Sequence, residues 1–261
     1  MNSVTQIELA ALQFAKHDSH KGQNGRLLLI GGSELFHAAS LWSLTVASRI
    51  VDLVHFASVK ENNDIVRLAK TEFRNGIVIH RNDIEEYIKE DDCILIGPGM
   101  TRDNQTKELT DRLLGMYPHK QWVIDAGALQ MMDVNRMPPH AIVTPHVGEY
   151  TRVFGSQEIS EAAKAYRCII LKKGEVDTIS NGDQTRTVEG GNAGMTKGGT
   201  GDVLAGLIAA LACANNPFLS TLAGSYINKQ AGDALYKTVG PFFNASDLAD
   251  QIPKTMKDLF F

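Results

Sequence analysis

Residues 190–202 read Gly190-Gly191-Asn192-Ala193-Gly194-Met195-Thr196-Lys197-Gly198-Gly199-Thr200-Gly201-Asp202, and they run directly into Val203-Leu204-Ala205-Gly206-Leu207-Ile208-Ala209-Ala210-Leu211-Ala212. Val203, Leu204, Leu207, Ile208 and Leu211 recur at helical spacing, so the stretch is a glycine-rich loop feeding a buried helix. Glycines at such a junction bring backbone N–H groups close to a ligand, and the helix start adds unpaired donors and a positive dipole end. The combination is an anion site. Asp202 then has two readings: an N-cap carboxylate bonding the first-turn amides, or a base that takes a proton from a hydroxyl attacking a phosphoryl group held there. A carboxylate beside an anion site repels the anion, which favours the base.

The loop is not a Walker A, because Lys197 precedes the last glycines instead of following them, and it opens no early βαβ unit as a dinucleotide fingerprint does. Gly-Thr-Gly-Asp instead resembles the Gly-x-Gly-Asp signature of the ribokinase-like superfamily. The longer string from Gly191 to Gly206 resembles, more narrowly, the ADP/ATP-dependent NAD(P)H-hydrate dehydratases.

The whole chain is compatible with that resemblance. With 261 residues, 43% hydrophobic and 21% charged, it is long enough for one large α/β domain over residues 1–261. A net charge of -4 and a pI near 6.1 leave no basic stripe for nucleic acid. No basic-then-apolar leader and no membrane-length apolar stretch occurs, which predicts a cytoplasmic protein without a membrane partner. Cys93, Cys168 and Cys213 lie in apolar segments without paired spacing and read as reduced thiols.

Outward from the loop, residues 3–16 read as a moderately amphipathic helix and Arg26-Leu27-Leu28-Leu29-Ile30 as a strand ending in Gly31-Gly32-Ser33 before an apolar helix from Ala38. Further strands are expected at Leu53 to Val59, Gly76 to His80, Cys93 to Ile96, Trp122 to Ile124, Ala141 to Val143 and Cys168 to Leu171. Several exit into glycine, proline or acidic clusters, and a strand's C-terminal end is where ligands bind in parallel sheets. The acidic stretch from Asp83 to Asp92 reads as a solvated helix, and His55 as packed or solvated. Asn181-Gly182-Asp183 suggests a type I′ hairpin turn.

The resemblance extends from His20 to about Pro253 and implies a ribokinase-like α/β fold, a mostly parallel central sheet with helices on both faces. It implies that an adenine nucleotide, ADP or ATP, with Mg²⁺ drives dehydration of the S epimer of hydrated NADH or NADPH. By the same resemblance Ala39, Gly99 and His146 place the hydrated nucleotide together with Asp202, the base. Lys173, Gly174, Glu175, Val176 and Asp177, with Gly199, Thr200 and Gly201, hold the adenine nucleotide, and Glu149 associates with the metal. The family's usual Gly-Ala reads Ala38-Ala39 here, its Asp-Ala-Asp-Ala-Leu has Gly127 for the second aspartate, and Asp177 stands where a threonine is usual. A homo-oligomer, a tetramer, is expected, without the epimerase half often fused to the family. Two rivals remain: a kinase of a small hydroxymethyl compound such as a thiamin precursor, and an inactive nucleotide-binding regulatory protein.

Overall fold

The computed structural model describes residues 2–261. Ten strands form one sheet: β1 (Asn2–Ser3), β2 (Arg26–Ile30), β3 (Leu53–Ala57), β4 (Ile77–Val78), β5 (Cys93–Ile96), β6 (Gln121–Ile124), β7 (Ile142–Val143), β8 (Ile169–Lys172), β9 (Asp177–Ser180) and β10 (Thr185–Val188). Their order across the sheet is β1-β10-β9-β8-β7-β6-β5-β2-β3-β4, parallel except where β9 pairs with β8 and β10. Between them run α1 (Ala38–Ala47), α2 (Lys60–Leu68), α3 (Ile84–Glu90), α4 (Asn104–Met116), α5 (Ala126–Met131), α6 (Val147–Phe154) and α7 (Ile159–Tyr166). The chain closes with α8 (Thr200–Ala212), α9 (Pro217–Val239) and α10 (Ala245–Phe260).

Successive side chains of a strand face opposite ways, and both faces of this sheet are covered. Leu27, Leu29, Phe56 and Leu95 join one apolar cluster with residues of α1, α8, α9 and α10. Leu28, Ile30, Ile94, Ile96 and Trp122 join a second with α3 to α7. Continuous apolar runs such as Leu27-Leu28-Leu29-Ile30 are therefore what a strand buried on both sides requires. The mostly parallel α/β architecture read from the sequence is the one observed.

Strand order reverses at β2 and β5, which are neighbours in space though β3 and β4 lie between them in the chain. Such a reversal opens a crevice at the C-terminal strand ends. The turns after β2 and β5 meet there, with the Gly32 amide donating to the Pro98 carbonyl at 2.7 Å.

Three local expectations differ. The segment 3–16 holds only a 3-10 turn, Gln6–Ala11, because its apolar residues cover one short stripe and the chain departs after Leu12. The β9–β10 connection is not a two-residue type I′ turn: Asn181 lacks positive φ, and its Oδ1 accepts from the amides of Asp183 and Gln184 in a longer loop. The acidic stretch is not wholly solvated, since Asp91 is buried and paired with buried His55, Nδ1 to Oδ2 2.8 Å. Burial pushes the Asp91 carboxyl up against the pull of His55. No helix among the described residues is long and apolar enough to cross a membrane.

Candidate functional site

The start of α8 is shaped by contacts only glycine permits. Gly199, its N-cap, has φ +97°, and a Cβ there would collide with the Trp42 ring and lie 2.7 Å from Ala245 Cβ. Thr200 Oγ1 donates to the carbonyls of Met195 at 2.7 Å and Lys197 at 2.9 Å, which pins the loop to the helix. The amides of Gly201 and Asp202, in the first turn, donate to no acceptor among the described residues. Lys197 itself turns away, its ammonium donating to the Pro241 carbonyl and lying 5.3 Å from the Phe243 ring centre.

Asp202 occupies the third position of the helix, three residues beyond the N-cap. Its carboxyl caps nothing, so the capping reading is corrected: Gly199 takes that place, and the Asp202 backbone carbonyl is held by Ser43 Oγ at 2.7 Å from α1. Burial first, then Asp125, pushes its carboxyl up to about 7; Lys173 pulls it down and Glu149 adds to the rise.

Lys173 lies among these acids. It leaves β8 beside the isolated bridge His146–Lys173, its amide donates to the Pro145 carbonyl at 2.8 Å, and its ammonium is 3.2 Å from Asp125 Oδ1. Burial works to lower its pKa, but Asp125, Glu149 and Asp202 together outweigh it and hold the ammonium charged. Asp125 sits at the exit of β6, followed by Ala126 at φ +45°, an uncommon backbone for alanine.

His146 is the N-cap of α6. Its Nδ1 accepts from the amides of Gly148 at 3.0 Å and Glu149 at 3.3 Å, so in the neutral ring the proton is on Nε2, in a side chain that is 61% exposed. Glu149 answers as a capping box: Oε2 accepts from the His146 amide at 2.8 Å and Oε1 from Gln130 Nε2 at 2.8 Å.

At the start of β9, Asp177 is buried and structural. Its Oδ1 accepts from the Gly174 amide at 2.9 Å, folding the turn, and its Oδ2 from Ser225 Oγ of α9 at 2.7 Å. Lys229, which the sequence analysis passed over, is 5% exposed. Its ammonium donates to the carbonyls of Gly174 (3.2 Å), Glu175 (2.8 Å) and Gly190 (3.0 Å), and so ties this turn to the start of the anion loop.

A cavity of about 800 Å³ opens among these parts. His146, Glu149, Lys173, Gly174, Glu175, Asp177, Gly199, Thr200, Gly201 and Asp202 are all in its wall, so residues from three separate segments of the chain are brought together. Val176 is not; it points outward, 46% exposed. Ala39 and Gly99 are not in this wall either. They meet each other at the β2–β5 crevice, where a Cβ on Gly99 would lie 3.0 Å from that of Ala39 and 2.8 Å from the Phe36 carbonyl oxygen. Ala39 lies one turn before Trp42 on α1, and Trp42 packs on Gly199, so the crevice borders the anion loop from the other side.

The departure at Gly127 has a physical reason. A Cβ there would collide with the Met100 carbonyl, because the turn after β5 lies directly on α5. A second aspartate has no room in this backbone.

The family described as NAD(P)H-hydrate dehydratase matches residues 27–254. The chain is 38% identical over 257 residues to a bifunctional NAD(P)H-hydrate repair enzyme of Methanocaldococcus jannaschii, covering 96% of this chain and 52% of that one. It is 33% identical to an ADP-dependent (S)-NAD(P)H-hydrate dehydratase of Cenarchaeum symbiosum, covering 93% of this chain and 92% of that one. The chain thus spans about half the length of the bifunctional relatives it matches. An ADP/ATP-dependent NAD(P)H-hydrate dehydratase of Bacillus subtilis, crystallised with ATP and Mg²⁺, superposes with a TM-score of 0.85 at 24% identity over 99% of this chain and 98% of that one, a likeness of fold.

Proposed function

The chain belongs to the NAD(P)H-hydrate dehydratase family, and from that premise we propose that residues 1–261 act as one unit that uses an adenine nucleotide to dehydrate the S epimer of hydrated NADH or NADPH. The observation that carries the reading is Asp202: a carboxyl with no hydrogen bond among the described residues, set beside amides of Gly201 and its own residue that donate to none of them, in the wall of a cavity large enough for a nucleotide.

The ring hydroxyl of the hydrate is a poor leaving group. In the proposed reaction its oxygen attacks the terminal phosphorus of the nucleotide, the O–P bond forms, the bond to the departing nucleotide breaks, and the hydroxyl proton passes to Asp202. The carbon–oxygen bond then breaks, phosphate departs, and the neighbouring ring carbon releases a proton as the double bond returns. ADP leaves as AMP, or ATP as ADP. The Gly199-Thr200-Gly201 turn stabilises charge on the transferring group. Lys173, Gly174, Glu175 and Asp177 receive the adenine nucleotide, and Ala39, Gly99 and His146 the nicotinamide half.

Among the described residues no group of three His, Cys, Asp or Glu forms a metal cage. Mg²⁺ needs none, since it binds phosphorylated substrates through one or two carboxylates, phosphate oxygens and water. Each Glu149 oxygen accepts one hydrogen bond and keeps a free lone pair, an all-oxygen donor set that fits, so Glu149 would hold the ion with the nucleotide phosphates. There it would neutralise phosphate charge.

The test follows NADH absorbance and phosphate together, with hydrated NADH, Mg²⁺ and either ADP or ATP. Recovery of NADH with one phosphate released per nucleotide consumed is expected. Accumulation of a stable phosphorylated alcohol would overturn the reading in favour of a small-alcohol kinase.

A further inference from the structure

Three lysines stand in the cavity wall, and one of them faces the first turn of α8. The ammonium of Lys229 spends its donors on three carbonyls, and Lys197 turns away to the Pro241 carbonyl and the Phe243 ring. Lys173 donates one hydrogen bond among the described residues, to Asp125 Oδ1 at 3.2 Å. Two of its three donors are left over, on a side chain that is 20% exposed in the cavity wall.

A Cβ built on Gly201 would lie 3.3 Å from Lys173 Nζ. That bond tilts toward the start of a helix, so the ammonium lies beside the first turn, where the amides of Gly201 and Asp202 donate to no acceptor among the described residues. Two backbone donors and two ammonium donors thus converge on one spot. A base or a ribose does not call for a cation and a set of donors there. A phosphoryl group does, because its oxygens carry charge throughout transfer.

We propose that Lys173 is a catalytic residue that meets the transferred phosphoryl group, and that Asp125 is the positioning residue that aims it. This rests on the reaction proposed above and deepens it. A lysine is a point charge on a flexible stem, and it stabilises a developing charge well only where something holds it in advance. Asp125 is fit for that: it is 2% exposed, and its own amide donates to the Ile96 carbonyl of β5 at 3.0 Å. Lys173 moves no proton and forms no covalent bond; it donates hydrogen bonds to oxygens of the phosphoryl group as that group passes from nucleotide to hydrate.

The test is calorimetric titration of the full chain with AMP, ADP and ATP in the presence of Mg²⁺, since successive nucleotides differ by one phosphoryl group. At one step, AMP to ADP or ADP to ATP, wild-type affinity should rise roughly 10- to 100-fold. In Lys173→Met that step should shrink to less than about threefold, while affinity for the shorter nucleotide is kept and shows the variant folded. The double variant Asp125→Asn/Lys173→Met leaves no buried carboxylate unpaired, should behave alike, and carries the test where the single variant does not fold. No step in the wild type, a step that survives loss of Lys173, or an equal loss of all three nucleotides overturns the proposal. Turnover should fall by roughly 10²- to 10³-fold in Lys173→Met. In Asp125→Ala kcat should fall by roughly 10- to 100-fold with binding of the shorter nucleotide unchanged, and Asp125→Asn, which keeps an oxygen for the ammonium, should recover most of that loss. An unchanged kcat in Asp125→Ala shows that Asp125 aims nothing. A chain that loses the affinity step with Lys173 but restores no NADH refutes the enzymatic reading and leaves the phosphoryl contact standing. One that restores NADH at the wild-type rate in Lys173→Met does the reverse.

Discussion

At Asp202, catalysis and stability make opposite demands. A base must be ionised, but burial and Asp125 push this carboxyl up to about 7, with Lys173 opposing. In the dehydratase reading kcat/KM therefore rises with pH through about 7, and a profile flat from pH 5 to 9 would count against the assignment. Asp202→Asn keeps the size but accepts no proton, so turnover should fall by roughly 10²-fold or more while nucleotide affinity stays near normal. The same variant should gain stability. The value of about 7 in the folded chain exceeds the ordinary carboxylate value of 3.8, so proton binding stabilises the folded chain fully below 3.8, and that contribution is lost as pH rises through 7. Thermal melts should accordingly place Asp202→Asn above wild type near pH 8, with the gap closing towards pH 4. A gap that widens towards acid would show that the carboxyl does not titrate as its surroundings require.

At the scale of elements, the string Thr144-Pro145-His146-Val147-Gly148-Glu149 was legible as a strand exit with a candidate ligand, but not as a cap. Capping boxes are recognised by Ser or Thr before a Glu, and here a histidine ring nitrogen does the work of the hydroxyl. His146 thus has two roles that variants separate. His146→Ala should cost about 1 kcal/mol as a lost cap and also weaken binding of the hydrate. His146→Asn, a good cap residue, should restore the melting temperature but not the KM for the hydrate, while the nucleotide KM stays unchanged throughout. Recovery of both by asparagine would leave His146 a purely structural residue. Gly127 shows the converse case, since its departure from the family pattern is visible in sequence while the cause, the Met100 carbonyl beneath it, is not. Gly127→Asp should not restore a family ligand; it should lower the melting temperature and the soluble yield, and an equally stable variant would disprove the collision.

Over the whole molecule, what sequence shows well is what is local: apolar runs buried on both sheet faces, glycine turns at strand exits, the loop before α8. Which exits become neighbours depends on strand order, and only the β2–β5 reversal shows why Ala39 meets Gly99 across a sequence gap. Lys229 escaped notice for the same reason. A lysine in a helix is exposed by default, and the carbonyls that bury this one lie 39 to 55 residues away along the chain. Its three bonds span from the turn between β8 and β9 to the start of the anion loop, the two pieces that must face one another for a nucleotide to lie between them. Lys229→Met keeps the length and apolar stem but leaves buried Asp177 without its nearby cation, 3.6 Å away, and frees three carbonyls. Breaking a buried pair in this way costs roughly 3–5 kcal/mol. At about 2–4 °C per kcal/mol for a chain of this order of size, the melting temperature should fall by roughly 6–20 °C. A nucleotide at a hundred times its Kd stabilises the wild-type fold by about 2.7 kcal/mol. In Lys229→Met the same nucleotide concentration should add less, because part of the binding energy is spent drawing the two loops together. Melts with and without Mg-ADP read both effects, and an unchanged nucleotide shift in a destabilised variant would show that Lys229 supports the fold without shaping the site.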